Sequence, residues 1–216
     1  MPDAPGPAAT GVGHILVVCT GNICRSPLGH LLLADLLAGT GITVSSAGVY
    51  AMEGEGVDAG MLPELASRGL SPDGFVAHQI TADDVERADL ILTMSRRQRA
   101  FIVDEWPHSR KKTLLLGAVG SLEGSARAQS QPAASDPRHG RRASRPLATA
   151  PAPVSIDTIH AVARRATGDI ADVPDPFRKA PDQYAASAAL VDTHCRALAA
   201  SLHSSIALYL SERHSA

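Results

Sequence analysis

Aromatic residues make up only 3% of this 216-residue chain, and cysteines number three. So few aromatics, with no basic pattern around them, leave few stacking platforms for single-stranded nucleic acid, and no nucleic-acid partner is expected. Cys19, Cys24 and Cys195 are too few and too unevenly spaced for a disulfide scaffold or a thiolate zinc site. They are expected to be thiols in a reducing cytoplasm. The nine histidines lack the i, i+4 pairing and adjoining carboxylates of a metal site, so no metal or other cofactor is expected, and His78 is read as solvated or structural like the rest. The longest apolar stretches, such as Leu31-Leu32-Leu33-Ala34, fall far short of the ~20 residues that span a bilayer, which excludes a transmembrane role. Lys+Arg 20 against Asp+Glu 22 gives a net charge of -2, with no overall field to steer the chain onto nucleic acid or anionic lipid. Any anion must therefore be bound locally.

The 44% hydrophobic content suffices for one α/β unit with a tail and a loop to spare. His14 to Val18 is a short apolar run suited to a strand covered on both faces. The polar segment Cys19 to Pro27 follows, and then Leu28 to Leu37, where Leu28, Leu32 and Leu36 form one helical stripe with Leu33 and Leu37 beside it. Ser26 is expected as N-cap and Pro27 at the first helical position. The alternation continues with strand-like Ile42 to Ser45, a helix from about Val57 to Arg68, and strand-like Leu90 to Met94. A helix from about Arg96 to Glu105 and strand-like Thr113 to Leu116 complete it. Such a pattern predicts an α/β fold, a doubly wound domain with a central four-stranded parallel sheet and helices on both faces. A closing helix, roughly Asp182 to Leu210, carries Tyr184, Ala188, Val191, Cys195, Leu198, Leu202, Ile206 and Tyr209 on the stripe that docks on the sheet.

Two segments stand apart. Residues 1–13, with Pro2, Pro5 and Pro7 and no signal-peptide pattern, are expected as a disordered tail. Ser121 to Pro153 holds five prolines, five arginines and only Leu122 and Leu147 as large aliphatics. It is too poor in apolar surface to offset its ordering entropy, so 118–168 is expected as a largely flexible Pro/Ala/Arg-rich insertion. The five arginines of Ser121 to Pro153 against Glu123 and Asp136 give that stretch +3, which leaves -5 for the rest of a chain of net -2. The cluster Arg138, Arg141, Arg142 and Arg145 is read first as solubilising and second as a site for an acidic partner.

The chemistry concentrates in the loop after the first strand. Cysteine attacks as the thiolate, which is favoured by a helix N-terminus, by clustered backbone N–H groups and by a cation. Cys19 ends a strand, its loop leads into a helix, and Arg25 lies six positions on, where the loop can curl its guanidinium back over the thiol. Gly21 is expected to supply backbone freedom and Asn22 a left-handed turn, so that successive N–H groups point inward. Inward amides plus a guanidinium fork match a phosphate and the phosphoryl group in transit.

The string Val18-Cys19-Thr20-Gly21-Asn22-Ile23-Cys24-Arg25-Ser26-Pro27 resembles the signature of the low-molecular-weight protein tyrosine phosphatases. Two further matches fall in that family's order, Ser46-Ala47-Gly48 and Asp175-Pro176-Phe177. The resemblance covers about Ile15 to Leu116 and Asp172 to the C-terminus, so the phosphatase domain is expected over 14–117 and 169–212. It implies Cys19 as nucleophile, Arg25 as phosphate clamp, Asp175 as general acid and Ser26 as thiolate stabiliser. It further implies Asn22 as the brace of the loop formed with Thr20, Gly21, Ile23 and Cys24, and Ser46 as the partner of Asn22. Tyr50 and Phe177 are assigned to the substrate pocket. Where members of the family often carry a His before an Ala-Arg-Gln type of segment, this chain has Phe75 ahead of Ala77-His78-Gln79. The aspartate loop has Phe177-Arg178 in place of two aromatics.

The resemblance implies hydrolysis of phosphotyrosine in protein substrates through a phosphocysteine. Alternatives within the same signature are a protein arginine phosphatase, whose relatives carry Thr where this chain has Ile23, and a thiol-dependent arsenate reductase. The latter needs two more cysteines in relay, and Cys195 stands alone on a helix. A non-catalytic phosphoprotein-binding module is disfavoured because both Cys19 and Asp175 are present. Cys24 has two readings, part of the loop wall or a resolving thiol that pairs with Cys19 under peroxide. Asp175 competes for the acid role with Asp169, Asp172 and Asp136, and is preferred because Pro and an aromatic follow it.

Overall fold

In the computed structural model, which describes residues 12–119, 159 and 170–214, the apolar run near the N-terminus forms strand β1, His14–Cys19, buried from Ile15 onward. It lies inside a four-stranded parallel sheet of order β2-β1-β3-β4, with β2 at Thr43–Gly48, β3 at Leu90–Thr93 and β4 at Thr113–Leu115. Parallel pairing sets His14 against Thr43, Ile15 against Leu90, and Ile91 against Thr113. The period-two alternation of a strand sends Ile15, Val17 and Cys19 into one core and Leu16 and Val18 into a second core on the other face. The first core is closed by α1, Arg25–Leu36, and by the closing helix α6, Pro181–His214. The second is closed by α3, Ala82–Arg87, and α4, Arg96–Glu105. The expected α/β architecture is thus observed. Among the described residues no helix is long and apolar enough to cross a membrane.

The chain departs from the expected boundaries where side chains are committed to other tasks. Helix α1 starts at Arg25, with Cys24 as its N-cap residue and with the Leu28 N–H on the Cys24 carbonyl. Ser26 therefore lies inside the first turn and is not the cap; its hydroxyl points to the Cys19 sulfur instead. Strand β2 extends through Gly48 because Ser46, Ala47 and Gly48 pair in register with Val17, Val18 and Cys19. The helix expected over Val57 to Arg68 contracts to α2, Leu62–Ala66, since the Asp58 N–H is given to the Ile23 carbonyl and the Gly60 N–H to the Asp58 carboxylate. Helix α3 was not expected, although Thr81 and Asp84 form a reciprocal capping box at its start. After the 3₁₀ turn Pro107–Lys111 and β4, Leu116 opens a short helix α5, Leu116–Val119, rather than ending the strand.

On α6 the expected stripe is buried from Tyr184 to Ile206, and the side chain of Tyr209 lies outside the described residues. The tail over 1–13 and the insertion over 118–168 also fall mostly outside them. Three residues of that expected insertion, Ala118, Val119 and Ile159, are among the described ones. All three are apolar and buried, Val119 and Ile159 within the first core.

Candidate active site

The carboxyl end of β1 lies where the chain reverses its order across the sheet, first adding β2 on one side and then β3 on the other. Ligands of open α/β sheets bind at such switch points. Cys19 closes β1 there, and Thr20 to Cys24 bridge to α1.

The shape of this loop is fixed from outside. The carbonyls of Cys19, Thr20 and Gly21 accept the N–H groups of Val49, Tyr50 and Met52 at 3.0, 2.9 and 3.0 Å, and the Ile23 carbonyl accepts that of Asp58 at 2.8 Å. In a trans peptide the N–H opposes the C=O, so the amides of Thr20, Gly21, Asn22 and Cys24 are turned away from those partners. Asn22 makes the bend at φ 55° and is fully buried. Its Oδ1 accepts the His78 N–H at 2.8 Å, which sets the amide so that Nδ2 donates to Ser26 Oγ at 2.9 Å and Ser46 Oγ at 3.0 Å. Ser26 in turn donates to Cys19 Sγ at 2.9 Å. Asn22 therefore makes the left-handed bend of the loop and bonds both Ser26 and Ser46. Gly21 does not: it lies outside the left-handed region, and a Cβ there would make ordinary contact with Ile23 and Met52. Space does require a glycine at Gly48, whose added Cβ would fall 2.5 Å from the Thr20 carbonyl oxygen.

Arg25 is 4% exposed. Its NH1 donates to the Val173 carbonyl at 3.0 Å, and its NH2 meets Asp175 Oδ2 at 2.8 Å. Its buried Nε–H has no protein acceptor among the described residues. A guanidinium buried this far with one donor uncommitted is suited to an oxyanion in the same hollow. Asp175, by contrast, is half exposed, and its Oδ1 accepts the Phe177 N–H at 3.3 Å. Asp172 accepts from the backbone and guanidinium of Arg96 and so is tied to the start of α4. Asp136 and Asp169 lie outside the described residues.

Cys19, Thr20, Gly21, Cys24 and Arg25 line one cavity of about 160 Å³ with Asp175 at its side. Ile23, Tyr50, Met52 and Phe177 form its apolar walls. Tyr50 stands 62% exposed, edge-on to Phe101 with ring centroids 5.3 Å apart, and the Arg178 guanidinium lies over Phe177 at 5.0 Å. All three cysteines are free. Burial, helped by the charges of Asp58, Cys19 and Asp175, pushes the Cys24 thiol far above its ordinary range and disfavours its thiolate. Cys195 is fully buried on α6, in the core and away from the lining.

Sequence reasoning missed the supports behind the loop. His78 reaches it through its backbone, while its ring Nε2 bonds Asp84 Oδ2 at 2.7 Å. Gln98 caps α4 by accepting the Met94 and Ser95 N–H groups and then donates from Nε2 to Thr20 Oγ1 at 3.0 Å. The patterns Thr81-x-x-Asp84 and Ser95-x-x-Gln98 were legible as capping boxes, but their second duty toward the loop was not.

A sequence model of the low molecular weight phosphotyrosine protein phosphatases matches residues 14–144. The low molecular weight protein-tyrosine-phosphatase Etp of Escherichia coli K12 is 42% identical over 103 residues, 48% of this chain and 68% of that one. Wzb of Salmonella typhi is 41% identical over 103 residues, with the same shares. Among solved structures, the tyrosine phosphatase AmsI of Erwinia amylovora superposes with a TM-score of 0.61 at 26% identity, covering 87% of this chain and 91% of its own. The YwlE arginine phosphatase of Geobacillus stearothermophilus, at 24% identity and a TM-score of 0.62, covers 88% of this chain and 92% of its own and shares the fold. Asp175 lies beyond the stretch that the family model matches, and here it is the fold itself that brings this carboxylate onto Arg25. With the cysteine loop inside the matched stretch and the same sheet beneath it, this chain belongs to the low-molecular-weight protein tyrosine phosphatase family.

Proposed function

We propose that this chain hydrolyses phosphotyrosine in proteins, with Cys19 as nucleophile, Arg25 as clamp and Asp175 as acid and then base. The observation that carries the reading is the buried Arg25 guanidinium. It shares one cavity with the Cys19 sulfur, touches Asp175 and keeps its Nε–H uncommitted.

In the first step the Cys19 thiolate attacks phosphorus, the S–P bond forms and the bond from phosphorus to the phenolic oxygen breaks. The amides of the loop and the Arg25 fork hold the equatorial oxygens, where charge develops. A phenol has a pKa near ~10, so protonation of the departing oxygen by Asp175 is worth typically ~10²–10⁴. In the second step the Asp175 carboxylate takes a proton from water, the water oxygen attacks phosphorus, and the S–P bond breaks. The sulfur leaves as a thiolate facing the Ser26 hydroxyl. Every proton and electron pair is accounted for by this chain's side chains, the substrate and water.

Ile23, Tyr50 and Phe177 support an aromatic phosphoester over a phosphoguanidinium, because an apolar wall matches a ring better than a cation. With Cys195 outside the cavity, the two further thiols that an arsenate relay needs are not at hand. The free thiols fit a reducing cytoplasm, and the substrate is a phosphoprotein there. Turnover of matched phosphotyrosine and phosphoarginine peptides tests the reading, with preference for phosphotyrosine expected. A marked preference for phosphoarginine rejects it.

A further inference from the structure

One polar group on α6 is left over by this mechanism. Tyr184 is 5% exposed and belongs to an otherwise apolar stripe, yet its hydroxyl is bonded twice. Tyr184 Oη donates to Asp58 Oδ1 at 2.6 Å and accepts the Arg178 N–H at 3.2 Å. The Asp58 backbone is the same one whose N–H holds the Ile23 carbonyl of the phosphate loop. The tyrosine ring presses on Gly60, where any Cβ would collide with it, and the Gly60 N–H completes Asp58 Oδ1 at 3.0 Å.

The acid loop is anchored on both sides of Asp175. Upstream, Val173 donates to the Met94 carbonyl and accepts from Arg25, while the Pro174 carbonyl accepts from Ser187. Downstream, Pro176 to Lys179 make a turn closed by the Lys179 N–H on the Pro176 carbonyl, with Arg178 at φ 57°. A left-handed third position in such a turn is usually given to Gly or Asn, so an arginine there has to be held in place. The Tyr184 hydroxyl holds it by accepting its N–H.

We propose that Tyr184 is a positioning residue that fastens the acid loop to the phosphate loop through Asp58 and thereby fixes the reach of Asp175 toward the leaving oxygen. Burial, and then the hydrogen bond to Asp58, push the Tyr184 phenol up to about 12, so it remains a donor throughout the working range. The proposal rests on Asp175 being the acid, and its test separates the two claims.

Wild type, Tyr184→Phe and Asp175→Asn are compared by kcat/KM on phenyl phosphate, whose leaving group needs a proton, and on p-nitrophenyl phosphate, whose leaving group does not. Phenylalanine keeps the ring over Gly60, and competitive inhibition by inorganic phosphate reports on the loop itself. Because small misplacements of a catalytic group cost up to ~100-fold, Tyr184→Phe is expected to lose about tenfold on phenyl phosphate and less than about twofold on p-nitrophenyl phosphate, with phosphate inhibition unchanged. Equal losses on both substrates, weakened phosphate inhibition, or no loss at all overturns the positioning role while a selective loss in Asp175→Asn leaves the acid assignment standing. If Asp175→Asn treats both substrates alike, the acid assignment and the positioning role fall together.

Discussion

Asn22 concentrates more of the loop's structure than any other side chain, and removing it allows a worked test. Truncation to Ala deletes three hydrogen bonds, the buried ones to Ser26 and Ser46 and the part-buried one from the His78 N–H. At roughly 1 kcal/mol each, these amount to ~3 kcal/mol. Ala must also adopt φ 55°, which disfavours an L-residue by roughly 1–2 kcal/mol and suits Asn better than Ala. Asn22→Ala is therefore expected to lose about 4 kcal/mol of unfolding free energy, a large share of the ~5–15 kcal/mol of an ordinary domain. Asn22→Gly loses the same bonds but escapes the strain, and is expected about 1 kcal/mol above the Ala variant. Urea unfolding followed by circular dichroism, extrapolated linearly to water, supplies both numbers. The reasoning is refuted if Asn22→Ala lies within about 1 kcal/mol of wild type, or if the Gly variant is the less stable of the two.

Cys19→Ser is expected to lower kcat/KM on phosphotyrosine peptide at least ~10³-fold, and retention of full activity would end the nucleophile assignment. Gly48→Ala forces a Cβ to 2.5 Å from a backbone oxygen and is expected to destabilise by about 1–3 kcal/mol. Gly54→Ala, at φ +85° with nothing within 4 Å, should cost only the ~1–2 kcal/mol of the left-handed conformation, and a denaturant series ranks the two. Burial alone would raise the Asp84 carboxyl, but hydrogen bonds from Thr81 and His78 outweigh it and leave it below its ordinary 3.8. Its contribution is therefore fully present above that value and is lost as pH falls through the folded-state value. The stability gap between wild type and Asp84→Asn should hold steady near neutrality and shrink on acidification below 3.8, as read by denaturation at stepped pH; a gap that widens in acid contradicts this.

Local physics made the fold legible where one periodicity governed a segment. The buried run of β1, the ten residues of α4 and the stripe of α6 are placed by their periodic patterns, whatever further contacts single side chains make. The errors cluster where a residue serves the loop. Ser26 has the chemistry of a cap but is drawn to a sulfur seven positions back, and Asp58 leaves its helix to hold Ile23. The same holds for the site itself. Cys19, Arg25 and Asn22 are adjacent in sequence and could be read together, whereas the supports from His78, Gln98 and Tyr184 are contacts over 56, 78 and 126 positions. No local spacing encodes a pairing across that distance.

The bond from Arg25 to the Val173 carbonyl joins positions 148 apart, and this separation bears on biosynthesis. A ribosome adding ~5–20 residues per second takes about 7–30 s to cover that interval. Late in it the nascent chain carries the cysteine loop and the strands that flank it, but not yet the Asp175 carboxylate or the helix Pro181–His214. On the proposed roles, a thiol so placed waits without its proton donor until residue 175 has been added and the chain between has folded.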